Sequence, residues 1–219
     1  MSNAQERVFL DGEGDAWFGR NRARLEGFDP ASDLPLTMLR MFDAQPKRVF
    51  EVGCANGFRL AAMAAEYGCE VGGSDASAAA VADAQRRFGL TLSCQDAAQP
   101  IGREVFDLVI LNFVLHWVPR ERLALLIKSV LAAVAPGGLV LIGDFDPGED
   151  VDVPYHHLPS AGVMTYKRNY GAQFAEAGGL QLVGKLSGDH VTLRPGLGVS
   201  AQDRMAVWLL ERAAQAGKP

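Results

Sequence analysis

The sequence predicts an α/β protein with a doubly wound, mostly parallel sheet, an antiparallel hairpin near the C-terminus and a helical cap at the N-terminus. Three observations carry this. From residue 48 onward, short apolar runs alternate with longer helical patterns, the rhythm of βαβ units. The run at 105–111 is almost continuously apolar, as expected of a strand covered on both faces. Further on, two apolar runs are separated only by Ser187, Gly188 and Asp189. So short a link cannot carry a parallel crossover, and the two runs must pair antiparallel.

The elements follow in order. Residues 1–45 form the cap, with helices at 14–25 and 33–42. Residues 46–146 form the core. Its first strand at 48–52 leads through a glycine-bearing turn into a helix at 58–67, then come a strand at 70–74, a helix at 78–88, and strands at 90–94 and 105–111. Pro119 suits the first turn of a helix that runs to 134 and stops before Pro136, Gly137 and Gly138. A fifth strand occupies 139–145.

Residues 147–219 complete the same domain. The loop at 146–166 is read as a lid or acceptor-binding insert, since loops of that length inside a compact domain are usually functional. A helix at 169–177, strands at 180–186 and 190–194, and a terminal helix at 202–214 close the chain, making seven strands. Met205, Trp208, Leu209 and Arg212 share one face of that last helix, and an exposed Trp208 there would mark a homodimer contact.

Composition narrows the function. With 219 residues and 48% hydrophobic content, the chain can bury one sizeable core. Lys and Arg number 21 against 26 Asp and Glu, with no basic stripe to neutralise phosphates, which argues against a nucleic-acid partner. Cys54, Cys69 and Cys94 form no C-x-x-C pair and have no histidine at zinc spacing, so no metal is expected and a reducing cytoplasm fits. No window approaches the ~20 apolar residues of a membrane span.

The densest signal is Glu51-Val-Gly53-Cys54-Ala55-Asn56-Gly57, a turn between a buried strand and a helix. Glycine belongs where the backbone bends tightly or a ligand approaches it closely. A dinucleotide turn would read G-x-G-x-x-G, but Ala55 and Phe58 stand at its second and third glycine positions. A diphosphate would be poorly accommodated. A nicotinamide-dependent oxidoreductase, which shares the strand, turn and acid pattern, is the alternative this weakens.

An acid two residues before the first glycine resembles the first motif of the class I S-adenosylmethionine-dependent methyltransferases, and the resemblance runs through residues 48–145. It implies a Rossmann-like fold and S-adenosylmethionine as cofactor. Glu51, Gly53, Cys54, Ala55 and Gly57 match the cofactor turn. Asp75, with Ala76 and Ser77, ends the second strand where the family's acid accepts the ribose hydroxyls. Asp96, with Ala97, matches the position that holds the adenine amino group. The segment from Asn112 to Trp117 matches the lining of the methyl-transfer cleft. Trp17 and Asn21, in the cap, are candidates to reach the cofactor, and an anchoring role for the N-terminal helix fits them equally.

Methyl transfer is an in-line displacement, so the protein must align the acceptor, exclude water and take up a proton. For an oxygen or carbon acceptor, the favoured cases, the candidate bases are His116, His156, His157 and Asp144. His156 and His157 are preferred because they lie in the long insert after the fifth strand. His116 and Trp117 fit a packing role equally well. The acceptor is expected to be a small molecule; a non-catalytic cofactor-binding protein would keep the fold without an enclosed acceptor cavity.

Overall fold

A computed structural model of the chain describes residues 4–214. Strands β1 (Arg48–Val52), β2 (Glu70–Asp75), β3 (Ser93–Cys94), β4 (Phe106–Asn112) and β5 (Val134–Phe145) run parallel. A small hairpin of β6 (Val151–Pro154) and β7 (Met164–Lys167) stands apart from them. Strands β8 (Leu180–Asp189), β9 (Arg194–Pro195) and β10 (Arg204–Arg212) complete the main sheet antiparallel. The order across it is β3-β2-β1-β4-β5-β10-β8-β9, eight strands where seven were expected.

The extra strand is the expected terminal helix. The run Met205–Leu210 is buried throughout, and a strand covered on both faces shows no period, so a spacing that suits a helical face arises by chance. Ala206, Trp208 and Leu210 enter one core, while Met205, Val207 and Leu209 enter the other. Trp208 is 1% exposed and offers no dimer surface. Residue 171 must be glycine beneath it, because a Cβ there would lie 2.3 Å from Trp208 Cδ1. The expected hairpin partner of β8, a strand at 190–194, is present only as the two residues of β9, and the long antiparallel partner of β8 is β10.

Helices cover both faces. Helices α3 (Leu34–Met41), α4 (Phe58–Tyr67) and α5 (Ala78–Phe88) bury Leu36, Leu60, Met63 and Ala84 against one side. Helices α6 (Arg120–Ala133) and α7 (Tyr170–Glu176) bury Leu126, Val130 and Phe174 against the other. Side-chain caps set several starts: Asp33, Ser77 and Asn169 accept from the N–H groups of Leu36, Ala80 and Ala172.

The cap begins earlier than expected. Helix α1 (Ala4–Val8) and a π-helical turn (Phe9–Glu13), kinked at Gly12, precede α2 (Gly14–Glu26). The segment expected as one long loop after β5 carries the β6–β7 hairpin. Gln5 clips cap to hairpin: its Nε2 donates to the carbonyls of Trp117 (2.7 Å) and Met164 (3.0 Å), and its Oε1 accepts from the Met164 N–H (3.0 Å). Among the described residues no helix is long and apolar enough to cross a membrane.

Candidate functional site

Sheet order reverses between β1 and β4, and the carboxyl ends of strands beside such a switch point are where open α/β sheets bind ligands. A crevice of about 860 Å³ opens there. Its first wall is the turn after β1. Gly53 has φ 70°, donates its N–H to the Ser74 carbonyl (2.8 Å), and would place a Cβ 2.7 Å from Val114 Cγ2. Ala55 holds φ 50° without being glycine, a strained geometry that its surroundings must enforce. Asp75 supplies that enforcement. One carboxylate oxygen accepts the Ala55 N–H (2.7 Å) and the other accepts the Ser77 N–H (2.8 Å). Burial raises the Asp75 pKa, and these two bonds work against it.

Asp96 lies beyond β3, the neighbour of β2, and accepts from the Ala98 N–H (2.9 Å) and Gln99 Nε2 (3.0 Å). The Gln95 N–H donates to the Asp75 carbonyl (3.0 Å), so the two loops are tied together. Asp75 and Asp96 therefore line one crevice, with Ala76 and Ala97 beside them.

Deeper in this wall, Arg59 bridges two acids. It pairs with Glu51 through Nη1 and donates to Asp33 through Nε (3.1 and 3.2 Å) and Nη2 (3.0 Å). Burial alone would lower the Arg59 pKa; Asp33 and then Glu51 overturn that and raise it. Glu51 moves up to about 7, driven by burial and opposed by Arg59. Its Oε2 is buried without a partner.

The opposite wall comes from β4, β5 and the segments after them. Phe113 follows β4 at φ 52°, and the next turn carries His116. Asp144 on β5 is fully buried. It accepts from the N–H groups of Leu115 (3.0 Å), His116 (3.3 Å) and Phe145 (2.8 Å), and it bonds His116 Nδ1 (2.9 Å). A carboxylate partner makes Nδ1 the protonated nitrogen and leaves the Nε2 lone pair free. The imidazole sits among aromatic rings: Trp117 at 4.3 Å, Phe145 at 5.1 Å and Phe113 at 6.1 Å between centroids.

The cap roofs the crevice with Trp17, edge-on to Trp117, and with Phe9, 5.1 Å from the same ring. Asn21 lines it too, its Nδ2 donating to the Trp17 carbonyl (2.9 Å). Tyr155 locks the hairpin to the cap. Its hydroxyl donates to Glu13 (2.7 Å) and accepts from Arg20 (3.1 Å), and Arg20 pairs with Glu13. Burial and then Glu13 push the Tyr155 hydroxyl far above its ordinary pKa.

The methyltransferase domain family model matches residues 49–138. A 1,6-didemethyltoxoflavin-N1-methyltransferase of Burkholderia thailandensis, solved with 1,6-didemethyltoxoflavin and S-adenosylhomocysteine, superposes with a TM-score of 0.72 at 16% identity, over 97% of this chain and 92% of that one. The N-methyltransferase NodS of Bradyrhizobium japonicum WM9, in complex with S-adenosylhomocysteine, gives 0.62 at 17% identity, over 96% and 99%. The carboxy-S-adenosyl-L-methionine synthase of Geobacter sp. (strain M21) is 29% identical over 113 residues, and the match spans 46% of each chain. Residues 49–138 are thus similar in sequence to a methyltransferase domain, and nearly the whole chain shares the fold of S-adenosylmethionine-dependent methyltransferases.

These two structural relatives are solved with S-adenosylhomocysteine, and the crevice of this chain fits a ligand of that class. Two carboxylates stand at adjacent strand ends, and the unpartnered Glu51 oxygen is a buried acceptor in the same wall. None of these relatives is a nicotinamide enzyme.

Of the expected cofactor residues, Glu51, Gly53, Ala55, Asp75, Ala76, Asp96, Ala97, Asn112, Trp17 and Asn21 line the crevice; Cys54, Gly57 and Ser77 do not. Cys54 is packed beneath β2, its Sγ 2.9 Å from where a Cβ on Gly73 would stand, and burial holds its thiol well above the ordinary range. Gly57 caps α4 at φ 71° against Leu90 and Leu92. Ser77 caps α5 and donates to Asp15 (2.6 Å). These three shape the turns without facing the crevice.

His156 and His157 are exposed at the rim, side by side on the tip of the hairpin. No local pattern signals that Asp144 grips His116, that Lys167 and His190 join this wall, or that Arg59 bridges Glu51 and Asp33. All four histidines of the chain line this one crevice.

Proposed function

We propose that the chain transfers the methyl group of S-adenosylmethionine to a small-molecule acceptor that loses a proton, with His116 as the base. One observation carries this: the crevice that gathers Asp75 and Asp96 at one end presents, at the other, an imidazole fixed by a buried carboxylate.

Bound S-adenosylmethionine supplies an electrophilic methyl group on a sulfonium. Asp75 accepts the ribose hydroxyls, Asp96 the adenine amino group, and Glu51 Oε2 the ammonium of the methionine moiety. Trp17 and Asn21, on α2, roof the crevice over the bound cofactor. The aromatic wall around His116 excludes water, so that a proton leaving the acceptor goes to Nε2 rather than to solvent. Asp144 holds the ring in the tautomer that can receive it and stabilises the imidazolium that forms. His156 and His157, at the rim, border the entrance without such an anchor. A base serves any acceptor atom that sheds a proton, a ring N–H as much as an O–H or an acidic C–H; the two structural relatives described above are N-methyltransferases.

Calorimetric titration with S-adenosylhomocysteine and with NADH tests the assignment. Binding of the first and not the second is expected; binding of NADH alone overturns it.

A further inference from the structure

Charge is divided within the crevice. Every acidic residue that lines it, from Glu6 to Asp96, comes from the chain before β4. From Asn112 onward no Asp or Glu among the described residues lines it, and the basic residues there are His116, His156, His157, Lys167, His190 and Arg194. Carboxylates behind this wall are engaged there: Asp144 by His116 and three N–H groups, Glu13 by Tyr155 (2.7 Å) and Arg20, and Asp203 by the Ser200 hydroxyl (2.7 Å), with His190 Nδ1 3.7 Å away and Lys167 within reach of its charge.

Lys167 is the fixed cation of this half. It is half-buried, with Nζ 4.2 Å from the Phe145 ring centroid, and it donates to the Gln202 carbonyl (2.7 Å). Two of its three N–H donors have no partner among these contacts. Trp117 Nε1 is likewise buried with no acceptor. The rings of Phe113, Trp117, Phe145 and, from the cap, Trp17 line the same crevice and meet edge to face, Trp17 with Trp117 at 79° and Phe113 with Phe145 at 84°. Rings in this arrangement favour a planar π-system through stacked and edge contacts.

Resting on the methyltransferase reading above, we infer that the acceptor is a planar aromatic or heteroaromatic compound bound as an anion, its ring on the Trp117–Phe145 wall and its negative group toward Lys167. An anionic acceptor also fits the chemistry. Moving a methyl from a sulfonium to an anionic atom forms the new bond, breaks the carbon–sulfur bond and cancels one charge of each sign, which a water-poor site favours. Where the anion is a separate acid group, the reacting atom gives its proton to His116.

The test uses the full chain saturated with S-adenosylhomocysteine, titrated calorimetrically with 1-naphthoate, its neutral amide 1-naphthamide, and the non-aromatic anion cyclohexanecarboxylate. Naphthoate is expected to bind about tenfold or more tighter than either comparison compound, the scale of one hydrogen bond to a charged group. Lys167→Met is expected to remove that advantage over the amide while S-adenosylhomocysteine affinity stays at the wild-type value, which also reports that the variant is folded. Equal binding of acid and amide, equal binding of the two anions, or no naphthoate binding overturns the inference. Failure of S-adenosylhomocysteine to bind the wild-type chain is a separate result that removes the methyltransferase reading beneath it.

Discussion

The two halves of the crevice are built by different means. The cofactor half is made of short loops, each directly after a strand, and its carboxylates bond main-chain N–H groups within their own loop, Asp75 to Ser77 and Asp96 to Ala98, or on the neighbouring strand end, Asp75 to Ala55. The acceptor half is assembled from four separated stretches: the ends of β4 and β5, the β6–β7 hairpin, and the segment after β8. Its decisive bond, His116 to Asp144, spans 28 residues. One half is a product of strand–turn grammar, the other of tertiary convergence. Variants should separate them: damage to the first should appear in cofactor affinity, damage to the second in turnover.

The largest effect is expected at Gly53. Gly53→Val would force a branched residue into a left-handed φ and drive its Cβ against Val114, a collision with the protein itself before any ligand arrives. We expect calorimetric binding of S-adenosylhomocysteine to vanish. Wild-type affinity in this variant would show that the turn is not the cofactor's cradle.

His116→Ala probes the other half. Loss of a positioned base lowers turnover by about 10² to 10⁴, whereas S-adenosylhomocysteine affinity should stay near wild type. Transfer of tritiated methyl into a small-molecule extract provides the readout. His156→Ala and His157→Ala serve as comparisons, each expected to change little. If they fall as far as His116→Ala, the base lies on the hairpin after all.

Next in size is Asp75→Ala, with an expected loss of roughly 1.5 to 3 kcal/mol in S-adenosylhomocysteine affinity, the range for hydrogen bonds to a charged group. Part of that loss comes through Ala55, whose strained backbone the carboxylate holds. Asp75→Asn keeps one acceptor oxygen and should fall between. Unchanged affinity in both would remove Asp75 from the site.

The same division explains what the sequence disclosed. The parallel core and its ligand end could be read from residues 48–145 because each motif there sits beside the strand that positions it. Strand β10 was misjudged because Met205–Leu210 is buried on both faces, and a run without period carries no face to read. The second wall was only half visible. His116 was a candidate, but its weight over His156 and His157 depends on Asp144, and nothing local ties position 144 to position 116. Cys54, Gly57 and Ser77 carried the family motif yet turn away from the crevice, because a tight turn needs small and capping residues whether or not a ligand touches them.

The smallest effect sharpens the comparison within the cofactor half. Glu51 titrates at about 7 in the folded chain, against 4.5 for an ordinary glutamate, because burial outweighs its pairing with Arg59. Between those values the folded state binds more protons than the unfolded state, so this residue makes stability fall as pH rises from 4.5 to 7. Binding of a cationic ammonium beside Oε2 favours the ionised form, lowers that pKa and releases a proton. S-adenosylhomocysteine affinity should therefore rise between pH 6 and 8 by a factor of a few, with the observed enthalpy depending on the ionisation heat of the buffer. Glu51→Gln should flatten both dependences. A buffer-independent enthalpy in the wild-type chain would mean that Glu51 holds Arg59 in place and never meets the cofactor.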